Sequence, residues 1–343
     1  MNEHRHNRKP KTRARFAALI LIVALCAAVP LHATAFTTEQ RQAIVEQADS
    51  LPRLYSLLVL HQGEPVVEHV RSGPGLSSPA SLKSLSKTIL SALAGIAIER
   101  GIVEGTDQPL VELLGERVPE AVDPQVGEIT LGNALSLQAG LRSTSGRYYG
   151  AWVQSDDWVA HALTRPMVDE PGGEMIYSTG STHLAGAALV EASGSSLLQL
   201  ARDWLGEPLD IRIPDWMRDP QGIHFGGNQM RLSPRALARF GETYRLGGSL
   251  DDERVIPESW IEASWTPRGR SPWSNDLYGY GWFIDRLSGV SAYYGRGYGG
   301  QALFVVPDAA LTIVVISDPS PPSYGGYFDR IKRLAAKIVE TAG

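Results

Sequence analysis

The chain holds six lysines against twenty-six arginines, and two of the six lie on either side of Ser84 in Lys83-Ser84-Leu85-Ser86-Lys87. Ser84 and Lys87 are three residues apart. On a helix that opens near Ser84, their side chains lie on one face, about one turn apart and within hydrogen-bonding reach. A lysine desolvated at the floor of a cleft sheds its proton, and can then take one from a serine hydroxyl. Arginine cannot serve, because its guanidinium stays charged near neutral pH. A helix N-terminus also favours the negative charge that develops during such an attack. Taken alone, the same residues also read as a serine N-cap beside a solvated lysine, and no role for Lys83 is visible.

Two further stretches could complete such a site. In "PGGEMIYSTGS" (Pro171–Ser181), Tyr177 lies in a turn-rich segment just before a helical pattern. A phenol there can act as general base and acid if a nearby cation lowers its pKa from about 10; otherwise it is a half-buried structural tyrosine. In "YYGRGYGGQALFVVP" (Tyr293–Pro307), glycines 295, 297, 299 and 300 precede a strand. Such bare backbone lets N–H groups approach a substrate closely, as an oxyanion hole requires, or simply makes a hairpin turn. A phosphate loop fits poorly, since neither a lysine nor a helix follows. Among the aromatics, Tyr149 and Trp152 are the candidates for touching substrate, against the commoner use of such rings in packing.

The elements that must hold these residues follow from the pattern. After Lys87, Ile89, Leu90, Leu93, Ile96 and Ala97 form a broad apolar stripe ending at Gly101, so the nucleophile stands on a largely buried helix. "TTEQRQAIVEQADS" (Thr37–Ser50) predicts an opening helix with a threonine cap. "LYSLLVLHQGEPVVEHV" (Leu54–Val70) predicts a hairpin around His61–Glu64. From about 102 to 250 the segments are helical and broken by Pro and Gly, and beyond 278 short strand-like runs return before a closing helix. Strands at both ends with helices between predict an α/β (α+β) fold. Its sheet is mainly antiparallel, flanked by helices and built from about 36–100 and 250–343, with an all-helical subdomain over about 101–249.

The first 35 residues belong to none of this. A basic run to Arg15, the 14-residue apolar run Phe16–Val29 and the small residues Ala33 and Ala35 before Phe36 have the order of a secretory signal peptide. The apolar run is short for a membrane span, which needs about 20 residues. A periplasmic or secreted location follows as the expectation, with no membrane attachment after cleavage. The only cysteine, Cys26, lies inside this leader behind the bulky Leu25, so the mature chain is expected to use no disulfide, thiolate metal site or cysteine nucleophile. Residues 1–35 hold six Lys/Arg and one acidic residue, so their removal takes the formal net charge from −5 to −10. That balance offers no basic patch for nucleic acid. The histidines show no metal-ligand spacing and there is no Gly-x-Ser-x-Gly elbow, so no metal or other cofactor is expected.

The order and spacing of the three elements resemble the serine β-lactamase and penicillin-binding-protein superfamily. The resemblance is to its class C-like branch, with family VIII carboxylesterases and 6-aminohexanoate-dimer hydrolases. It is carried by "SLSKTILSALAGIAIERG", "PGGEMIYSTGSTHLAGAALVEASG", "RLSPRALARFGETYRLGG", "YGYGWFID" and "GYGGQALFVVPDAALTIVVIS", which together span roughly residues 50 to 340. It implies Ser84 as the acylated nucleophile, Lys87 as the aid to its deprotonation and Tyr177 as the proton shuttle. The backbone N–H groups of Ser84 and Tyr298 would form the oxyanion hole. Two departures matter. Tyr177-Ser178-Thr179 stands where lactamases of this branch carry Tyr-x-Asn, and Gly295-Arg296-Gly297 stands where the superfamily has Lys-Thr-Gly. Arg296 could replace the lost cation, although neighbours on a strand face opposite ways. The resemblance therefore implies a secreted serine hydrolase for a small-molecule ester or amide. The alternatives are a slow penicillin-binding or sensor protein on the same fold, or a β-lactamase.

Overall fold

The computed structural model describes Met1, residues 36–322 and residues 326–343; apart from Met1, the expected leader lies outside the described residues. The N-terminal part supplies helix α1 (Thr38–Asp49), strands β1 (Leu54–His61) and β2 (Glu64–Val70), a short strand β3 (Ala80–Ser81) and helix α2 (Ser86–Glu99). The middle carries α3 (Leu110–Leu114), α4 (Leu131–Leu135), α5 (Tyr149–Val153), α6 (Trp158–Leu163), the long α7 (Thr179–Ser193) and α8 (Leu197–Ala201). Strand β4 (Arg231–Leu232), helix α9 (Pro234–Arg245) and the hairpin β5 (Ser249–Leu250) and β6 (Glu253–Arg254) follow. Then come α10 (Glu258–Trp265), β7 (Gly269–Arg270), β8 (Leu277–Tyr278), β9 (Phe283–Leu287) and β10 (Val290–Gly297). The chain closes with β11 (Gln301–Val306), β12 (Leu311–Ser317) and α11 (Tyr327–Ala342).

Eight strands form one sheet in the order β2-β1-β12-β11-β10-β9-β8-β7, every neighbouring pair antiparallel. The two ends of the chain meet where β1 pairs with β12, as the sequence predicts. The β1–β2 hairpin turns at Gln62 and Gly63, both at positive φ, as a two-residue connection requires. Side-chain alternation splits the sheet between two cores. Leu58, Leu303, Val305, Val314 and Ile316 lie in the core on the side of α2 and α9; Leu57, Val59, Phe304, Ile313 and Val315 face α1 and α11. With both faces covered, β11 and β12 are buried from end to end. Their sequence is accordingly a continuous apolar run rather than an alternating one.

Helix α1 starts at a capping box: Gln40 N donates to Thr37 Oγ1 (3.2 Å) and Thr37 N donates to Gln40 Oε1 (2.7 Å), satisfying two N–H groups that a helix end leaves open. Helix α2 is buried from Ser86 to Ala97. It packs against both the sheet and α7, and so gives the site a rigid floor.

One expectation needs correction. The middle segment is not all helical, because β4 inside it pairs with β3, Ala80 opposite Leu232 and Ser81 opposite Arg231. Between α8 and β4, the run "PDWMRDPQGIHFGGN" forms no helix; its Pro and Gly density prevents one. This irregular strap is tied by the β3–β4 pair to the chain just before Ser84.

Candidate active site

Ser84 stands in a single 3₁₀ turn (Lys83–Leu85) that runs straight into α2. The chain enters the turn through Lys83 at φ +50°, a left-handed conformation that costs roughly 1–2 kcal/mol for a residue with a Cβ. Hydrogen bonds to the strap hold it there. Leu82 N donates to Met230 O (2.9 Å), Met230 N donates to Ser86 Oγ (3.1 Å) and Ser86 Oγ donates to Lys83 O (2.6 Å). Lys83, for which the sequence suggested nothing, donates from Nζ to Gln229 Oε1 (3.3 Å).

Lys87 lies one turn on, with 3 % of its surface exposed. Its Nζ donates to the carbonyl of Gly227 (3.0 Å) and to Thr179 Oγ1 (3.4 Å), and sits 5.0 Å from the centroid of the Tyr177 ring. Every one of these neighbours is uncharged at neutral pH. Burial without a counter-charge penalises the ammonium, and Lys87 is pushed down from 10.5 to about 7. Near neutrality a large share of it is a free amine.

Tyr177 joins the two. Its phenol feels the Ser84 hydroxyl, which favours the ionised form, and its ring meets Trp273 edge to face at 5.3 Å. Burial raises its pKa, while the Ser84 hydrogen bond and the charge of Arg296 pull the other way; the net direction is up. The condition under which the tyrosine becomes a resting phenolate is therefore not met. Here it stays a phenol, able to pass a proton along, and Lys87 is the group poised to accept one.

Thr179, in the place of the lactamase asparagine, offers a hydroxyl instead of an amide. It bonds to Lys87 on one side and to Ser145 Oγ on the other (3.0 Å), while its N–H donates to the same Ser145 Oγ (2.9 Å). The glycines of β10 are explained by closeness. A Cβ on Gly297 would stand 2.1 Å from the Leu82 carbonyl, and one on Gly295 would stand 2.5 Å from Thr88 Oγ1. Only bare backbone can lie this near the Ser84 turn and α2. That contact brings β10 at Gly297 up to Leu82 and Lys83, just before Ser84; Tyr298, the next residue, has its side chain 49 % exposed.

Other expected residues fall differently. The guanidinium of Arg296 lies 4.3 Å from the Phe328 ring centroid and 5.6 Å from that of Phe283. These rings pack in or against the core of the α1 and α11 side, so Arg296 does not stand in the place of the missing lysine and acts on Tyr177 through its charge alone. Trp152 is a correction: it is 0 % exposed, packed among Trp158, His183 and Phe225, and no substrate can reach it. Tyr149 covers it, half-buried, with its hydroxyl accepting from Asn228 Nδ2 (3.3 Å). Trp273, another aromatic in a segment able to line a cleft but not one of the two candidates for touching substrate, is 69 % exposed against Tyr177. Gly227 is not among the candidates either, and the double glycine of "HFGGNQM" is its signal in the sequence. A separate cleft of about 620 Å³, lined by Gln138, Asp169, Met175, Arg268 and Leu277 among others, contains none of Ser84, Lys87 and Tyr177.

A family model described as Beta-lactamase matches residues 50–337, and the chain belongs to this family of hydrolases. Among curated proteins, the 6-aminohexanoate-dimer hydrolase of Paenarthrobacter ureafaciens is 25 % identical over 292 residues, covering 78 % of this chain and 73 % of that protein. Two solved structures share the fold at 18 % identity. A penicillin-binding-protein homologue from Caulobacter crescentus superposes with a TM-score of 0.70, covering 90 % of this chain and 99 % of the other. A D-stereospecific amidohydrolase from Streptomyces sp. does so with a TM-score of 0.65, covering 81 % and 93 %.

Proposed function

We propose that this chain is a secreted serine hydrolase that cleaves an ester or small amide through an acyl-enzyme on Ser84. One observation carries the reading: a lysine one turn from that serine is buried against a carbonyl, a hydroxyl and a phenol ring with no carboxylate beside it, so that burial lowers its pKa to about 7. In acylation, the Lys87 amine takes the proton of Ser84 Oγ as the oxygen bonds to the substrate carbonyl carbon. The backbone N–H groups of Ser84 and Tyr298 receive the oxyanion. As the carbon–leaving-group bond breaks, the departing oxygen or nitrogen takes the Tyr177 proton, and the Lys87 ammonium restores it. Deacylation runs the same path with water as nucleophile, its proton passing through Tyr177.

Glycine at 295 leaves no side-chain cation where a β-lactam carboxylate would be received, which favours a neutral acyl group. The exposed indole of Trp273 beside Tyr177 adds an apolar surface for it. Secretion rests on the leader pattern of residues 1–35.

The test is acyl trapping with a chromogenic short-chain ester. A burst followed by steady turnover, with an adduct on Ser84 by mass spectrometry, is expected for the wild type and is lost in Ser84→Ala. Adduct without turnover makes the chain a penicillin-binding or sensor protein. Equal rates in both proteins remove the nucleophile.

A further inference from the structure

Behind the site lies a buried polar pair that the reaction does not use. His183 on α7 and Asp219 on the strap are both fully buried, with His183 Nε2 3.0 Å from Asp219 Oδ2. The other ring nitrogen, Nδ1, accepts from the Gly226 backbone N–H (3.1 Å), and Asp219 Oδ1 accepts from the N–H of Ile223 (2.8 Å). A backbone N–H can only donate, so Nδ1 carries no proton, and the ring is the neutral tautomer that donates from Nε2 to the carboxylate.

The second peptide further along the strap carries the Gly227 carbonyl, which receives Lys87 Nζ at 3.0 Å. Contacts are tight on both glycines. A Cβ on Gly226 would stand 2.7 Å from Thr182 O, and one on Gly227 would stand 2.9 Å from Lys87 Cγ. The strap thus lies flat on α7 and on the lysine stem, and the imidazole pins it from behind. Thr182 adds a weaker bond, donating from Oγ1 to Gly226 O (3.3 Å).

We propose that Asp219 and His183 are positioning residues: the carboxylate fixes the imidazole tautomer, and the imidazole holds the Gly226–Gly227 peptides so that the Gly227 carbonyl stays closed over Lys87 Nζ. The relation is that of an outer partner orienting a reactive group through its neighbour. It rests on the reading of Lys87 as the base. The groups that face Lys87 Nζ from the surrounding elements are the Tyr177 ring, Thr179 at the start of α7, and this carbonyl, with Ser84 and Arg296 acting on Tyr177. Loosening the strap admits water to the amine and restores part of its ordinary basicity.

The experiment compares wild type, His183→Leu, His183→Gln and Asp219→Asn in the full chain, using 4-nitrophenyl butyrate. In His183→Leu, kcat is expected to fall about 10-fold or more with KM little changed. Its acid limb is expected to move to higher pH by about half a unit. His183→Gln can accept from Gly226 N–H and donate to Asp219, and is expected to recover most of both; Asp219→Asn is expected to fall between. A folded His183→Leu with wild-type kcat and limb, or a Gln variant no better than Leu, overturns the proposal. If the Leu variant does not fold, the imidazole ¹⁵N spectrum of the wild type decides: a protonated Nε2 with bare Nδ1 supports it, and a protonated Nδ1 overturns it. A wild type with no acid limb near pH 7 refutes the base role of Lys87 instead, and the imidazole spectrum still decides whether His183 is held as described.

Discussion

Lys87 and Lys332 each lie beside a tyrosine ring, at 5.0 Å from Tyr177 and 5.4 Å from Tyr294, yet their surroundings drive them in opposite directions. Lys332 on α11 reaches Asp276 at 3.0 Å and bonds to Asp285 as well. Burial works against its charge, but the two carboxylates outweigh it and raise its pKa. Tyr294 donates to the same Asp276 (2.5 Å), so the cluster ties α11 to three neighbouring segments. Lys87 has a carbonyl, a hydroxyl and a phenol ring, and burial alone sets its direction. The same side chain in the same fold becomes a cross-link where carboxylates accompany it and, under the proposed function, a base where they do not.

The largest break in that comparison is at Lys87. Lys87→Arg keeps the positive charge but cannot give it up, and kcat/KM is expected to fall about 10³-fold, within the range for a lost general base. Near-native turnover would leave Lys87 with no proton to move. The reciprocal change, Lys332→Met, is expected to leave turnover nearly intact while destabilising the fold by about 2 kcal/mol, since it strands the buried Asp276 carboxylate without its cation. Chemical denaturation checks it; equal stability would mean that the cluster does not cross-link α11.

The smallest effect has the opposite sign. A lysine whose folded pKa is lowered binds its proton less well in the native state than in the unfolded chain. Its penalty is therefore full below about pH 7 and fades as pH rises towards 10.5. Lys87→Met is accordingly expected to stabilise the fold by about 1 kcal/mol at pH 6, in the manner of other relieved active-site strain, and to lose that advantage by pH 10. Lys332 runs the other way: its raised pKa contributes stability that is complete below pH 10.5, the ordinary lysine value, and is lost as pH climbs through the folded value. Melting curves at pH 6 and pH 10 separate the two, and a pH-independent difference for Lys87→Met would contradict a buried, readily discharged amine.

The elements were legible in the sequence wherever the signal was local. The Thr37 cap, the turn at Gln62 and Gly63, and the apolar stripe after Lys87 all lie within a few residues of what they organise. The placement of Ser84, Lys87 and Tyr177 in one cluster could be anticipated from motif order. What fixes the state of Lys87 could not: the Gly227 carbonyl comes from 140 residues away, along a strap with no helical or strand period. Trp152 and Trp273 show the same limit in reverse. Both are tryptophans in segments able to line a cleft, yet packing buried the first and left the second at the mouth. The glycines at 295 and 297 looked like freedom for a loop; they are room for a strand to press against a helix.

The central claim is that an uncharged Lys87 activates Ser84. It is tested most directly by the rate of acylation of Ser84, measured in single turnovers of an activated ester between pH 5 and pH 10. The expected curve rises with pH through a single ionisation near 7 and then levels, and the limb is absent from the residual rate of Lys87→Met. A rate independent of pH across that range, or one that rises only near the ordinary lysine value, would contradict it.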